Sequence, residues 1–340
     1  MSATSNSREA LAQAGNVDAQ LELALEYEAQ DNTMVARAWF ARAAKGGSVP
    51  ALRLLGISLL MHEPMDGDRG VNMVRAAADK GDAEAAHICA MMAASDPLAP
   101  DRWNLARQSL EIAAERGWTF AQEQLDFLKS TDHDFAAPLP PQREVFASPR
   151  ISVIEGCASA AECDWLIARA RPRLHRAHVI DPVTGGGRLE SVRSNSSAAF
   201  GLLQCDIVLA HLRARIEAIT GVAHLEATSI LHYAPGQEFK PHFDFLEPTQ
   251  PGYVRDIEKL GQRVATLLIY LNEEFEGGET EFPKLDWRFR GRKGDALLFW
   301  NVDEAGGRHP GAFHAGLPPK SGEKWLLSQW LRRGIEPQRF

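Results

Sequence analysis

The residues best able to do chemistry are His242 and Asp244, in the run His242-Phe243-Asp244. In an extended strand, positions i and i+2 share a face, so both can address one ion while Phe243 packs away. An imidazole and a carboxylate are two thirds of the facial triad that leaves three positions open on Fe(II). The third ligand must come from a distant strand across the fold, and two histidines lie downstream, His309 and His314. His309 stands among Gly306, Gly307 and Pro310, which is loop composition.

His314 is the better ligand because of a lysine downstream of it. Ten residues later comes Lys324, within Gly322-Glu323-Lys324-Trp325. In an interior of reduced dielectric, its ammonium can pair with the far carboxylate of 2-oxoglutarate while the near oxo acid chelates the metal. An isolated H-x-D is weak evidence. The joint pattern of H-x-D, a histidine about 70 residues on, and a lysine ten further, is far more specific.

Such a pattern needs strands to carry it. Short β-type segments at 227–233, 264–271, 296–300 and 325–331 are separated by Gly and Pro. Two helices precede them. Ser159-Ala160-Ala161-Glu162 is a capping box ahead of the amphipathic run Cys163 to Ala170, and Leu202, Ile207, Leu209, Leu212 and Ile216 predict a helix over 200–219. The second part of the chain therefore reads as a jelly-roll barrel buttressed by helices.

The first part has another texture. Gly15, Gly47, Gly81 and Gly117 each open a Gly-x-x-x-Ala unit, closing on Ala19, Ala51, Ala85 and Ala121 at a period near 34. That is the mark of an all-α helix-turn-helix solenoid, in which glycine ends a helix and alanine lets neighbours approach. Ala51, Leu54, Leu55, Ser58 and Met61 are expected on one helical face. The class is thus α+β, with repeats over 10–130, a linker over 131–150 rich in Pro138, Pro140, Pro141 and Pro149, and a catalytic domain over 151–340.

Composition sets bounds. The 340 residues are 45% hydrophobic and carry a net charge of -8, which argues against nucleic acid as a partner. No apolar run is long enough for a membrane span, and no secretory signal is visible at the N-terminus. The four cysteines, Cys89, Cys157, Cys163 and Cys205, form no C-x-x-C, so reduced thiols in a cytoplasm are expected.

Two resemblances stand on these residues. The repeats resemble Sel1-like repeats, relatives of the tetratricopeptide family, which implies a face for binding protein segments. From about 154 to 332 the chain resembles the prolyl 4-hydroxylases of the 2-oxoglutarate/Fe(II)-dependent dioxygenases. The resemblance rests on Val192-Arg193-Ser194-Asn195, Tyr233-Ala234-Pro235-Gly236-Gln237, His242-Phe243-Asp244 and Arg263-Val264-Ala265-Thr266. It continues through Tyr270-Leu271-Asn272, Gly277-Gly278-Glu279-Thr280, Phe299-Trp300-Asn301, His314-Ala315-Gly316 and Lys324-Trp325 to Trp330. It implies His242, Asp244 and His314 as iron ligands, and Lys324, Tyr233 and Thr266 around 2-oxoglutarate. Arg193, on a flexible loop, and Trp330 would meet the substrate. Fe(II), 2-oxoglutarate and O2 are the implied cofactors, with ascorbate as reductant. Gly277-Gly278 reads as a turn requiring positive φ.

The expected activity is hydroxylation of prolyl residues in a protein or peptide recruited by the repeats, with release of succinate and CO2. The same chemistry on a free amino acid or other small molecule is the alternative. A non-catalytic interaction module is a third reading, weakened by the intact triad and Lys324.

Overall fold

The computed structural model describes residues 3–334, and the chain divides into two compact units between Phe135 and Ala136. The first unit is helical: α1 (Ala3–Gln13), α2 (Val17–Glu28), α3 (Thr33–Lys45), α4 (Val49–Met61), α5 (Gly67–Asp79), α6 (Ala83–Ala94), α7 (Arg102–Glu115) and α8 (Thr119–Ser130). Gly15, Gly47, Gly81 and Gly117 have φ of +95°, +101°, +99° and +88°, the left-handed conformation that ends a helix and that a Cβ would strain. Directly after the first three stand Asn16, Ser48 and Asp82, whose side chains accept from the backbone N–H of Ala19, Ala51 and Ala85. One dipeptide therefore stops a helix and caps the next. Each helix packs chiefly on its predecessor and its successor. In α4 the packed face comprises Ala51, Leu55, Ser58 and Leu59. Met61, expected on that face, is 42% exposed because the helix ends there.

The second unit is α+β. Its elements are β1 (Gln142–Ala147), β2 (Arg150–Ile154), α9 (Ala160–Ala170), β3 (His175–Arg176), β4 (Val179–Ile180), β5 (Gly187–Arg188), β6 (Ser196–Phe200) and α10 (Ile207–Thr220). Next come β7 (His224–Leu225), β8 (Thr228–Tyr233), β9 (Phe239–His242), α11 (Pro251–Leu260), β10 (Gln262–Tyr270), β11 (Phe275–Gly277), β12 (Thr280–Phe282) and β13 (Trp287–Phe289). β14 (Ala296–Trp300), β15 (His314–Gly316), β16 (Pro319–Gly322) and β17 (Lys324–Arg333) complete it. A large antiparallel sheet runs β1-β2-β14-β10-β17-β8-β6-β3, with β7 also on β17, and a smaller one runs β13-β12-β15-β9. Leu231, Tyr233, Leu268, Tyr270, Phe299 and Leu326 of the large sheet pack with Phe282, Phe239 and Trp287 of the small one. Each fully buried apolar side chain contributes roughly 1.5–3 kcal/mol relative to exposure.

The four strands expected from the sequence lie within two residues of their positions here, and α9 starts at the capping box, in which Ser159 and Glu162 bond reciprocally. Two expectations need correction. The segment 131–150 is not all linker, because β1 and the first residue of β2 fall inside it. β1 is an edge strand with mostly exposed residues, so it lacks the alternation that marks a half-buried strand, and Pro149 occupies the turn after it. The helix expected over 200–219 begins only at Ile207, where Asp206 caps it. Phe200 instead pairs with Thr228 at the end of β6.

Candidate metal centre and cosubstrate pocket

Strand pairing brings the ligands together. β9 and β15 are antiparallel neighbours in the small sheet, and His314 stands directly opposite His242. The third ligand therefore comes from the adjacent strand, distant only in sequence, and not from across the fold. Asp244 lies two residues beyond His242, with Oδ1 3.5 Å from His242 Nε2 and Oδ2 3.6 Å from His314 Nε2. The three donor atoms lie within 4.8 Å of one another.

Both imidazoles are held in the tautomer a metal requires. His242 Nδ1 donates to the Lys240 carbonyl at 2.8 Å, and His314 Nδ1 to the Ala312 carbonyl at 3.0 Å. A carbonyl can only accept, so each Nδ1 carries a proton and Nε2 is the nitrogen turned toward the centre. Phe239 stacks on His242 at 3.6 Å between ring centroids, and Phe299 lies 4.6 Å from His314. Burial, with His242 beside it, pushes His314 down to about 4, so it is neutral at physiological pH. Burial alone would raise the Asp244 carboxyl, but the imidazoles of His314 and His242 outweigh it and hold the group below the usual carboxylate range.

A narrow cleft opens beside these residues, walled by Leu231, Tyr233, Leu268, Thr280, Leu326 and Trp330 among others. Lys324 occupies the same face of β17 as Leu326, Ser328 and Trp330 by strand alternation. It is fully buried, and its Nζ lies 4.9 Å from the Tyr233 ring and 5.7 Å from that of Tyr270. No hydrogen-bond acceptor for that Nζ exists among the described residues. Desolvation drives its pKa down to about 7, opposed only by the charge of Glu279. The turn glycines Gly277 and Gly278 have φ of +69° and +68°. A Cβ on Gly278 would stand 2.9 Å from the Phe275 ring and 3.2 Å from Lys324 Cδ, so this turn also makes room for the lysine stem.

These features fit a metal ion with an anionic companion. Two imidazoles and a carboxylate make the facial donor set, and a buried ammonium without an acceptor is a site for a carboxylate from outside the chain.

The remaining residues expected at the site are placed differently from one another. Trp330 lines the cleft as expected, with the Arg263 guanidinium 3.5 Å from its ring centroid. Arg193 also lines it, but not from a flexible loop. It is buried, its Nε donates to Asn195 Oδ1 at 3.1 Å, one of its terminal nitrogens donates to the His178 carbonyl, and it lies over Phe239. Thr266, expected on 2-oxoglutarate, is turned instead toward the metal ligands, where its hydroxyl donates to Asp244 Oδ2 at 2.7 Å. Sequence reasoning assigns no role to Asn301, which enters only as part of the resemblance and donates to Thr266, nor to Glu226, which grips Arg263 at 2.6 and 3.0 Å. Neither residue carries a local signal, because only strand register brings each to its partner.

Comparison with known proteins adds a second line of observation. Residues 228–332 match the family model of the 2OG-Fe(II) oxygenase superfamily. Prolyl 4-hydroxylase 1 of Arabidopsis thaliana is 36% identical over 202 residues, covering 55% of this chain and 70% of the relative. Prolyl 4-hydroxylase subunit alpha-1 of Mus musculus is 32% identical over 201 residues, covering 58% of this chain and 37% of the relative. Among solved structures, the 2OG complex of the viral collagen prolyl hydroxylase vCPH from Paramecium Bursaria Chlorella virus-1 is 28% identical. It matches with a TM-score of 0.40 over 53% of this chain and 94% of that one.

Proposed function

The chain belongs to the prolyl 4-hydroxylase family of 2OG-Fe(II) oxygenases, and from that premise we propose that it hydroxylates prolyl residues of a protein or peptide. It is a 2-oxoglutarate-dependent dioxygenase. His242, Asp244 and His314 would hold Fe(II), and Lys324 would hold the far carboxylate of 2-oxoglutarate. When bound, iron, O2 and 2-oxoglutarate supply the oxidising power that converts a C–H bond to C–OH, with succinate and CO2 released. The chain's own residues bind and orient. The Lys240 and Ala312 carbonyls fix the imidazole tautomers. Leu231, Leu268 and Leu326 keep the cleft wall apolar, and Tyr233 packs over the lysine that anchors the cosubstrate. Arg193 and Trp330, on the wall of the same cleft, are the proposed substrate contacts.

The observation that carries this reading is the conjunction of the converging triad with an acceptor-less buried ammonium. Incubation with Fe(II), labelled 2-oxoglutarate and proline-containing peptides tests it. The expected product is a peptide heavier by one oxygen, formed in step with succinate. Succinate formation with a small amine or acid, and with no peptide, would contradict a protein substrate.

The remaining assignments are proposals of the same reading. The two antiparallel sheets with a shared core support a double-stranded β-helix starting at Ala136 rather than at residue 151. Left-handed glycines at a period near 34 support Sel1-like repeats, for which we propose a role in recruiting the protein substrate. The four cysteines are free thiols, in keeping with a cytoplasmic site of action. Among the described residues no helix is long and apolar enough to cross a membrane. The acidic net charge of -8 disfavours nucleic acid as a partner. Ascorbate is the proposed reductant.

A further inference from the structure

We propose that Thr266 and Asn301 are positioning residues that form a directed hydrogen-bond relay, holding Asp244 by Oδ2 so that Oδ1 is its freer oxygen toward the metal. The inference deepens the metal reading of the triad and rests on it.

The proton directions follow from the chemistry of the groups. A carboxylate accepts, so the single proton of the Thr266 hydroxyl goes to Asp244 Oδ2, 2.7 Å away. The Thr266 oxygen must then accept from its other neighbour. It does so from Asn301 Nδ2 at 3.1 Å. With the amide turned the other way, the Asn301 carbonyl would compete for the hydroxyl proton and take it from Asp244. The orientation that serves Asp244 has a cost: Asn301 Oδ1 is buried and has no donor among the described residues. In this orientation Nδ2 also reaches the Arg263 carbonyl at 3.5 Å, and a relay toward the carboxylate requires it.

The scaffold holds both residues rigidly. Thr266 lies mid-strand in β10 between β14 and β17, opposite Phe299 and Trp330. Asn301 follows the last residue of β14, is fully buried, and is pinned by its backbone, donating to Val264 O at 2.8 Å and accepting from His309 N at 2.9 Å. The hydroxyl takes one lone pair of Oδ2 and fixes the carboxylate's orientation, which leaves Oδ1 the freer oxygen for the ion. A carboxylate chelating through both oxygens would take one of the positions that cosubstrate and O2 require.

Titration of the metal-free full chain with Co(II) alone, followed by visible absorption, tests the relay without turnover. The wild type should bind one equivalent. Thr266→Val should weaken binding by roughly 10–100-fold and change the visible bands as the freed carboxylate reorients. Thr266→Ser, which restores the hydroxyl, should bind within about threefold of wild type and recover its spectrum. Asn301→Leu should weaken binding by several fold, and it decides the matter should Thr266→Val melt below the assay temperature. Wild-type affinity and spectrum in Thr266→Val, or in Asn301→Leu, would overturn the relay. Failure of the wild type itself to bind Co(II) would instead overturn the metal reading beneath it.

Discussion

Two buried cations, one in each unit, show how a structural polar group differs from a functional one. Arg37, in α3 of the helical unit, is 8% exposed and donates to Ser58 Oγ and to the carbonyls of Ser58, His62 and Pro64. Its guanidinium closes the irregular end of α4, where carbonyls would otherwise stay unpaired. Lys324, in β17, is fully buried and has no acceptor among the described residues. Burial lowers the pKa of both, yet only Lys324 is left without the hydrogen bonds that offset desolvation. The helical unit uses its cation to hold the fold. The sheet unit leaves its cation without an acceptor among the described residues.

Variants can break this contrast, beginning with the ion that the lysine serves. His242→Ala and Asp244→Ala should reduce succinate release below detection, since each removes one of only three protein ligands. Appreciable turnover by either would dissolve the site. Lys324→Ala should raise the KM for 2-oxoglutarate about 100-fold, the effect of losing roughly 3 kcal/mol of charge pairing. In Lys324→Met, which keeps the bulk of the stem, the melting temperature should not fall, because the ammonium makes no internal hydrogen bond to lose. A clear drop in Tm with unchanged KM would make Lys324 structural after all. Arg37→Met should do the reverse. It strands several buried carbonyls and should cost about 2–4 kcal/mol in the helical unit. KM for 2-oxoglutarate should stay at the wild-type value in steady-state assays of the folded fraction.

The smallest expected effect is on pH dependence. Burial holds Lys324 at about 7, so the ammonium is present below that pH and lost above it, while both carboxylates of 2-oxoglutarate stay ionised. KM should therefore be flat at lower pH and rise above 7, by at most about tenfold per pH unit. Lys324→Ala should abolish that rise. A wild-type KM that is level from pH 6.5 to 9 would place the lysine elsewhere in the scheme.

The same contrast explains how much the sequence reveals. His242, Asp244, His314 and Lys324 are legible because alternation along a strand and spacing between strands survive any detail of the fold. Trp330 is legible for the same reason, since it lies an even number of residues beyond Lys324 on one strand. Sequence puts Thr266 in the right region with the wrong partner. Whether its hydroxyl faces a cosubstrate or Asp244 depends on how the chain turns after β9, which no local pattern encodes. The resemblance puts Arg193 on a flexible loop, whereas its burial against Phe239 is set by tertiary pairing. In the helical unit the glycines announce every cap they make, because a left-handed residue is a local requirement. The start of α10 is misread because Leu202 continues the apolar spacing across Gly201 to Asp206, where the cap at Asp206 decides.

Calorimetric titration of 2-oxoglutarate into the Mn(II)-loaded full chain, wild type beside Lys324→Ala and Asp244→Ala, separates a ligand-binding lysine from a structural one. The account expects one equivalent bound by the wild type, binding about 100-fold weaker in Lys324→Ala with its Mn(II) retained, and no binding of either component to Asp244→Ala. Equal affinity for 2-oxoglutarate in the wild type and Lys324→Ala would contradict it.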